Sequence, residues 1–139
     1  MRKILTYKGA VMTWECDSNR HMNVMYYINK FEHAGRNFSL ELGFDELGDS
    51  DVMGMVVLEQ HIKYLKEVFE DDLLFIESTL LSVGNKAFTV LHQMFNAKTK
   101  VLVCEMKIVL VLFDKINRSA LPMPVANRRR LQAALEEEE

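Results

Sequence analysis

The sequence predicts an α+β fold in which one long helix packs on a five-stranded antiparallel sheet. Three observations carry this. Val24, Ile28, Phe31, Gly35, Phe38 and Leu42 are spaced 4, 3, 4, 3, 4, which draws one stripe along a helix of about five turns. Four strand-length segments follow it: 53–66, 73–83, 87–96 and 101–114. The runs between them are short and polar, as hairpin connections are.

Taken in order, Thr6 to Glu15 alternates weakly, with Ala10, Met12 and Trp14 on one side, and reads as a first strand. The polar run Cys16-Asp17-Ser18-Asn19-Arg20-His21 ends it with turn-forming residues. The helix then spans about Asn23 to Leu42, with Asn23 as N-cap and Gly43 as its C-terminal stop. Gly35 lies in the stripe, where it allows close approach to a sheet. Residues 43–52 have the composition of a loop. The separators Glu70-Asp71-Asp72, Gly84-Asn85-Lys86 and Ala97-Lys98-Thr99-Lys100 predict hairpins between successive strands. In the last strand Leu102, Cys104, Met106, Ile108, Leu110 and Leu112 share one face, while Glu105 and Lys107 mark the other as partly solvated. Pro122 and Pro124 end the sheet. Residues 125–139 read as a terminal helix and tail, with Pro124 at its first position. The edge strands and the rest of the helix call for cover from a second copy.

Length and composition agree with one globular domain over residues 1–139: hydrophobic residues make up 49% and charged residues 27%. Charges recur too early for a signal peptide, and no apolar stretch reaches the ~20 residues of a membrane span. The expectation is a cytoplasmic protein with no membrane partner. A net charge of −3 argues against nucleic acid as a partner. Two cysteines, Cys16 and Cys104, do not make a disulfide framework or a zinc pair, and both are expected as thiols. Glu136 to Glu139 reads as a solvated end.

The chemistry-bearing segment is Trp14 to Asn23. It sets an acid, an imidazole and an amide just before a long helix. A helix N-terminus offers unpaired N–H groups and partial positive charge, which stabilise an oxyanion. A carboxylate beside it serves as base or nucleophile. The same arrangement suits an Asp or His that only caps the helix, and spacing alone favours the cap.

The run Asp17, His21, Asn23, Tyr27, Phe31, Glu32 resembles the 4-hydroxybenzoyl-CoA thioesterase family of hotdog proteins. That family places a His four, an Asn six, a Tyr ten and a Glu fifteen residues after its Asp. The resemblance continues through Val57 to Tyr64, Asp72-Leu73-Leu74, and Asp114 to Arg118 with Leu121-Pro122, so it covers about residues 6 to 130. It implies a hotdog fold, hydrolysis of a small acyl-CoA thioester, a homodimer or homotetramer, and a site between subunits. It implies no cofactor beyond the coenzyme A of the substrate. Asp17 would be the catalytic carboxylate and amides near Val24 the oxyanion donors. His21 and Asn23 would orient the loop or the attacking water, and Tyr27 would line the acyl pocket. Two positions depart from the pattern: Arg20 stands where the family has glycine, and Val24 where it has a second Asn. Arg20 would be strained in a left-handed turn, or would aim its guanidinium at an anionic ligand. The variant His-Met-Asn-Val-Met resembles a subgroup linked to short polar acyl groups such as betainyl.

Blander readings stand beside these. His21 serves equally as a structural hydrogen-bonder. Glu32, His61 and His92 read as structural, and Cys16 has no basic partner placed by the sequence. Asp17, His21 and Glu15 hold too few histidines for an open zinc site, so no metal is expected. Arg128, Arg129 and Arg130 either grip the CoA phosphates or form a solvated face. Two other functions compete with the thioesterase. One is a hotdog enoyl-CoA hydratase; Asp17-Ser18-Asn19 fits the start of its loop, but the proline is missing and His21 comes one position early. The other is a non-catalytic acyl-CoA binding module.

Overall fold

The computed structural model describes residues 2–44 and 51–137. Most of the loop expected at 43–52, and the last two glutamates of the tail, lie outside the described residues. The elements are β1 (Ile4–Ala10), α1 (Val24–Leu42), β2 (Met53–Tyr64), β3 (Leu73–Val83), β4 (Ala87–Asn96), β5 (Leu102–Asp114), β6 (Ser119–Leu121) and α2 (Val125–Glu136). One long helix on one antiparallel sheet is the predicted architecture. The sheet order is β1-β3-β4-β5-β2, and β6 adds a sixth, short strand beside the end of β5.

Only two of the three predicted hairpins form. β3–β4 and β4–β5 pair as neighbours, but β2 pairs with β5, from Met53↔Asp114 to Tyr64↔Cys104. The reason lies in the connection. β2 stops at Tyr64, so residues 65–72 are free to cross the end of the sheet. Val68 is fully buried on the way, and its carbonyl accepts Met22 N–H at 2.9 Å. The crossing therefore rests against the polar loop before α1.

β1 is shorter than expected. The chain leaves the sheet after Ala10 and makes a 3₁₀ turn at Thr13–Glu15. Along α1 the buried face is Tyr27, Lys30, Phe31, Ala34, Phe38 and Leu42. The predicted stripe is thus rotated: Phe31, Phe38 and Leu42 are inside, whereas Val24 is 54% exposed. Val24 is the first helical residue, and its side chain faces a cleft rather than the sheet. Both predicted ends hold. Asn23 Oδ1 accepts Met25 N–H at 3.1 Å. Gly43 adopts φ 76°, and its N–H and that of Phe44 return to the carbonyls of Leu40 and Ser39. α2 begins at Val125 as expected, with Pro124 as its N-cap rather than its first helical residue.

α1 packs closest to β1 and β3. Inward residues of β3 and β4 alternate with period two: Leu74, Ile76, Ser78 and Leu80, then Phe88, Val90, His92 and Met94. Cys104, Met106 and Ile108 continue this face on β5.

Candidate active site

The loop between the 3₁₀ turn and α1 is folded by its own sequence. Cys16 and Met22 form an antiparallel bridge. Asp17 N–H donates to His21 O at 3.1 Å, and Arg20 N–H donates to Asp17 O at 2.9 Å. Asn19 N–H donates to Asp17 Oδ1 at 2.8 Å, the Asx turn that Asp and Asn favour. The turn closes with Arg20 in the left-handed region, φ 62°.

This geometry aims the Asp17 carboxylate at the helix start. Asn23 Nδ2 donates to Asp17 Oδ2 at 3.0 Å, while Asn23 Oδ1 caps α1. One amide side chain thus ties the acid to the N-terminus of a 19-residue helix. The hydrogen bonds from Asn23 and from Asn19 N–H hold Asp17 below the usual carboxylate range. Asp17 is therefore ionised at neutral pH. Val24 N–H, the first helical amide, lies outside the intrahelical ladder and carries the positive end of the dipole.

His21 stands between two carboxylates. Its Nε2 is 3.7 Å from Asp17 Oδ1, and its Nδ1 is 3.0 Å from Glu67 Oε1. A cleft of about 290 Å³ opens here, lined by His21, Val24, Tyr27, Tyr64, Lys66 and Glu67 among others. Asp17 is 26% exposed at its side chain and is not part of that lining, but His21, whose Nε2 is 3.7 Å from it, is. Tyr27 packs edge-on against Tyr64 with ring centroids 5.1 Å apart. Burial pushes its hydroxyl up to about 12, so it is a neutral donor.

Asp17, His21, Asn23, Val24 and Tyr27 thus meet at one end of α1. Arg20 is exposed at the turn beside them. Arg128 and Arg129 do not join them within one chain. Arg128 Nη1 donates to Asn85 Oδ1 at 3.1 Å, and neighbouring Arg130 donates to Gly43 O at 3.2 Å, at the far end of α1, about 28 Å away. Arg129 is exposed. Glu32 is likewise exposed on α1, and His61 on β2. Cys104 is buried, which drives its thiol to about 12. Among the described residues no group of three His, Cys, Asp or Glu side chains is placed to hold a metal ion.

Sequence reading missed two contributors. Glu67 sits 46 residues from His21 in the connection after β2, and nothing local marks it. Lys30 carried a visible sign, a charge on the apolar side of α1. Its Nζ meets Glu15 Oε2 at 2.8 Å, both side chains being almost wholly buried (3% and 8% exposed). Glu15 also accepts Met12 N–H through Oε1 at 2.8 Å, and its carbonyl accepts Asn23 N–H at 2.8 Å. The pair therefore fastens both roots of the Asp17 loop to α1.

The profile of the Thioesterase-like superfamily matches residues 11–135. The chain belongs to this thioesterase-like superfamily. The match bears out the resemblance drawn from the Asp17 to Glu32 pattern. Solved structures repeat the fold at low identity. A Staphylococcus aureus protein solved in complex with CoA superposes with TM-score 0.84 at 16% identity, over 100% of this chain and 89% of that one. A candidate thioesterase from Pseudomonas putida gives 0.82 at 24%, over 98% and 87%. A 1,4-dihydroxy-2-naphthoyl-CoA thioesterase from Synechocystis gives 0.79 at 14%, over 94% of each chain. No curated protein matches the chain.

Within this thioesterase-like chain, the left-handed residue of the Asp17 turn is an arginine. A Cβ costs about 1–2 kcal/mol in that region, partly offset by the greater entropy a glycine loses on folding. Arg20→Gly is expected to raise stability by about 1 kcal/mol or less, read as a higher Tm. Asn23→Ala acts on the site and on the helix together. It removes the N-cap, worth about 1 kcal/mol, and the Asn23 hydrogen bond that does most to hold Asp17 low. The acid limb of any Asp17-dependent pH–rate profile is expected to move upward, which a profile of kcat/KM checks.

Proposed function

We propose that the chain is an acyl-CoA thioesterase that hydrolyses an acyl-CoA thioester to free acid and CoA. One observation carries this reading: the ionised Asp17 carboxylate is bonded through Asn23 to the N-terminus of α1. Acyl transfer needs a base or nucleophile on one side of a carbonyl carbon and donors on its oxygen. Asp17 supplies the first, and Val24 N–H, aided by the helix dipole, supplies the second. His21 and Asn23 orient the attacking water and the loop, and Tyr27 and Val24 wall the acyl end of the cleft. Arg20, exposed beside the turn, is placed to meet an anionic part of the substrate; Arg128 and Arg129 reach CoA only from a second subunit.

A second role for His21 rests on its own contacts. It lines the cleft and is held by Glu67 and Asp17, as an imidazole acting as base for water would be. In that variant Asp17 orients His21 and offsets its charge.

We also infer a homodimer or homotetramer. β2 is twelve residues long, pairs on one side only among the described residues, and exposes Val57 and Leu58. An open strand of that length is covered by pairing with another copy.

The test follows free thiol and enoyl absorbance together over short polar, aromatic and long-chain CoA thioesters. Thiol release with the double bond intact is the expected result. Loss of the double bond without thiol would make the protein a hydratase. No turnover of any ester, with CoA still bound, would make it a binding module.

A further inference from the structure

Glu67 comes to the Asp17 loop from the connection between β2 and β3. That connection is pinned on both sides of it. Leu65 N–H and Lys66 N–H both donate to Val103 O, at 2.9 and 3.1 Å. Val68 is fully buried, and its carbonyl takes Met22 N–H. Met22, itself 2% exposed, follows His21 directly, as Val68 follows Glu67. One backbone hydrogen bond between two buried residues therefore brings together the two residues that precede them. The Glu67 side chain is 63% exposed, so it is placed by the backbone and not by packing of its own.

The contact it makes selects one nitrogen. Glu67 Oε1 lies 3.0 Å from His21 Nδ1. A carboxylate accepts hydrogen bonds and donates none, so the proton of this bond is on Nδ1. A neutral imidazole with its proton there keeps a lone pair on Nε2. Nε2 makes no hydrogen bond among the described residues. Asp17 Oδ1 is 3.7 Å from it and already takes Asn19 N–H at 2.8 Å. Tyr27, Tyr64 and Lys66 line the same cleft as His21 and Glu67, and Arg20 precedes His21 in the turn.

We propose that Glu67 is a positioning residue: it fixes the proton of His21 on Nδ1, so that Nε2 accepts from the attacking water. The proposal rests on the thioesterase reading and deepens it. Both roles given to His21, orienting the water and acting as its base, need that lone pair. Without Glu67 the opposite tautomer is favoured, because Nε2–H would turn its proton toward the Asp17 carboxylate and close Nε2 to water.

The test compares Glu67→Gln with the parent. Glutamine keeps the length of the side chain and still bonds Nδ1, but as donor or as acceptor, so it no longer decides which nitrogen holds the proton. A residue that only holds the ring in place would be replaced without loss. Long-range ¹⁵N–¹H spectra of histidine-labelled protein at about pH 8, above the ordinary range of imidazole, read the tautomer without substrate. The His21 signals are those lost in His21→Ala. The parent is expected to hold the proton on Nδ1, and Glu67→Gln to hold it wholly or partly on Nε2. In hydrolysis, kcat is expected to fall by about 10-fold with KM unchanged, short of the ~10⁴ of a buried orienting acid because Glu67 is open to solvent. Tm is expected to stay at the parent's value for the same reason. In a His21→Ala background, Glu67→Gln is expected to change nothing further. A parent ring protonated on Nε2, a Glu67→Gln variant with the parent's tautomer or kcat, or an effect that persists without His21 would overturn the proposal. A parent that releases no thiol from any ester would refute the thioesterase reading, and the spectra would still show whether Glu67 sets the tautomer. One that hydrolyses esters with its proton on Nε2 would refute the role of Glu67 only.

Discussion

Asp17→Asn is expected to lower kcat by about 10²–10⁴-fold with KM for the acyl-CoA little changed. The substitution is close to isosteric. The amide oxygen still accepts from Asn19 N–H or from Asn23 Nδ2, so the turn and the helix cap persist. What disappears is the basicity and charge of the group beside the carbonyl carbon. An interaction made in the transition state lowers kcat and kcat/KM together. The pH profile gives an independent check. Hydrogen bonds from Asn23 and Asn19 depress the folded pKa of Asp17. The ionised, active form therefore persists to lower pH than an ordinary carboxylate would, and kcat/KM falls only as pH drops through that depressed value. The stability this carboxylate contributes is present above its unfolded pKa and is lost as pH falls through its folded one. Steady-state kinetics from neutral pH into acid, on parent and variant, measure both effects.

Lys30→Met is expected to be the most destabilising of these substitutions, by about 3–5 kcal/mol. It leaves the Glu15 carboxylate buried with Met12 N–H as its remaining side-chain partner. Removing one member of a buried pair strands the charge of the other, which costs far more than the pair itself is worth. The double substitution Glu15→Gln, Lys30→Met strands no charge and is expected to recover most of the loss. Thermal unfolding of the parent, the single and the double variant measures this. Turnover per folded molecule should fall in the single variant as well, because Glu15 O holds Asn23 N–H and Lys30 anchors Glu15 to α1.

The elements that were legible in the sequence are those set by local periodicity and caps. The α1 boundaries follow from Asn23 and Gly43, and β3 and β4 were placed at their observed ends. The crossing of β2 was not legible, because strand order is decided by long-range pairing and a polar separator looks alike in a hairpin and a crossover. The rotation of the helix stripe escaped for a related reason. Tyr27, Lys30 and Ala34 face inward through contacts with distant partners: Tyr64 beside Tyr27, and Glu15 beside Lys30. At the site, the Asp17 to Asn23 spacing brought one cluster into view. Glu67 did not show, since it meets His21 from far along the chain.

The central claim is that a thioester oxygen docks on the first turn of α1 with Asp17 across the carbonyl carbon. A crystal structure with a non-hydrolysable acyl-CoA ketone analogue tests it most directly. The account predicts the ketone oxygen about 3 Å from Val24 N, with Asp17 or a water held by Asp17 and His21 facing the carbon. A ketone lying elsewhere, with Val24 N–H turned to solvent and Asp17 shielded from the ligand, would contradict it.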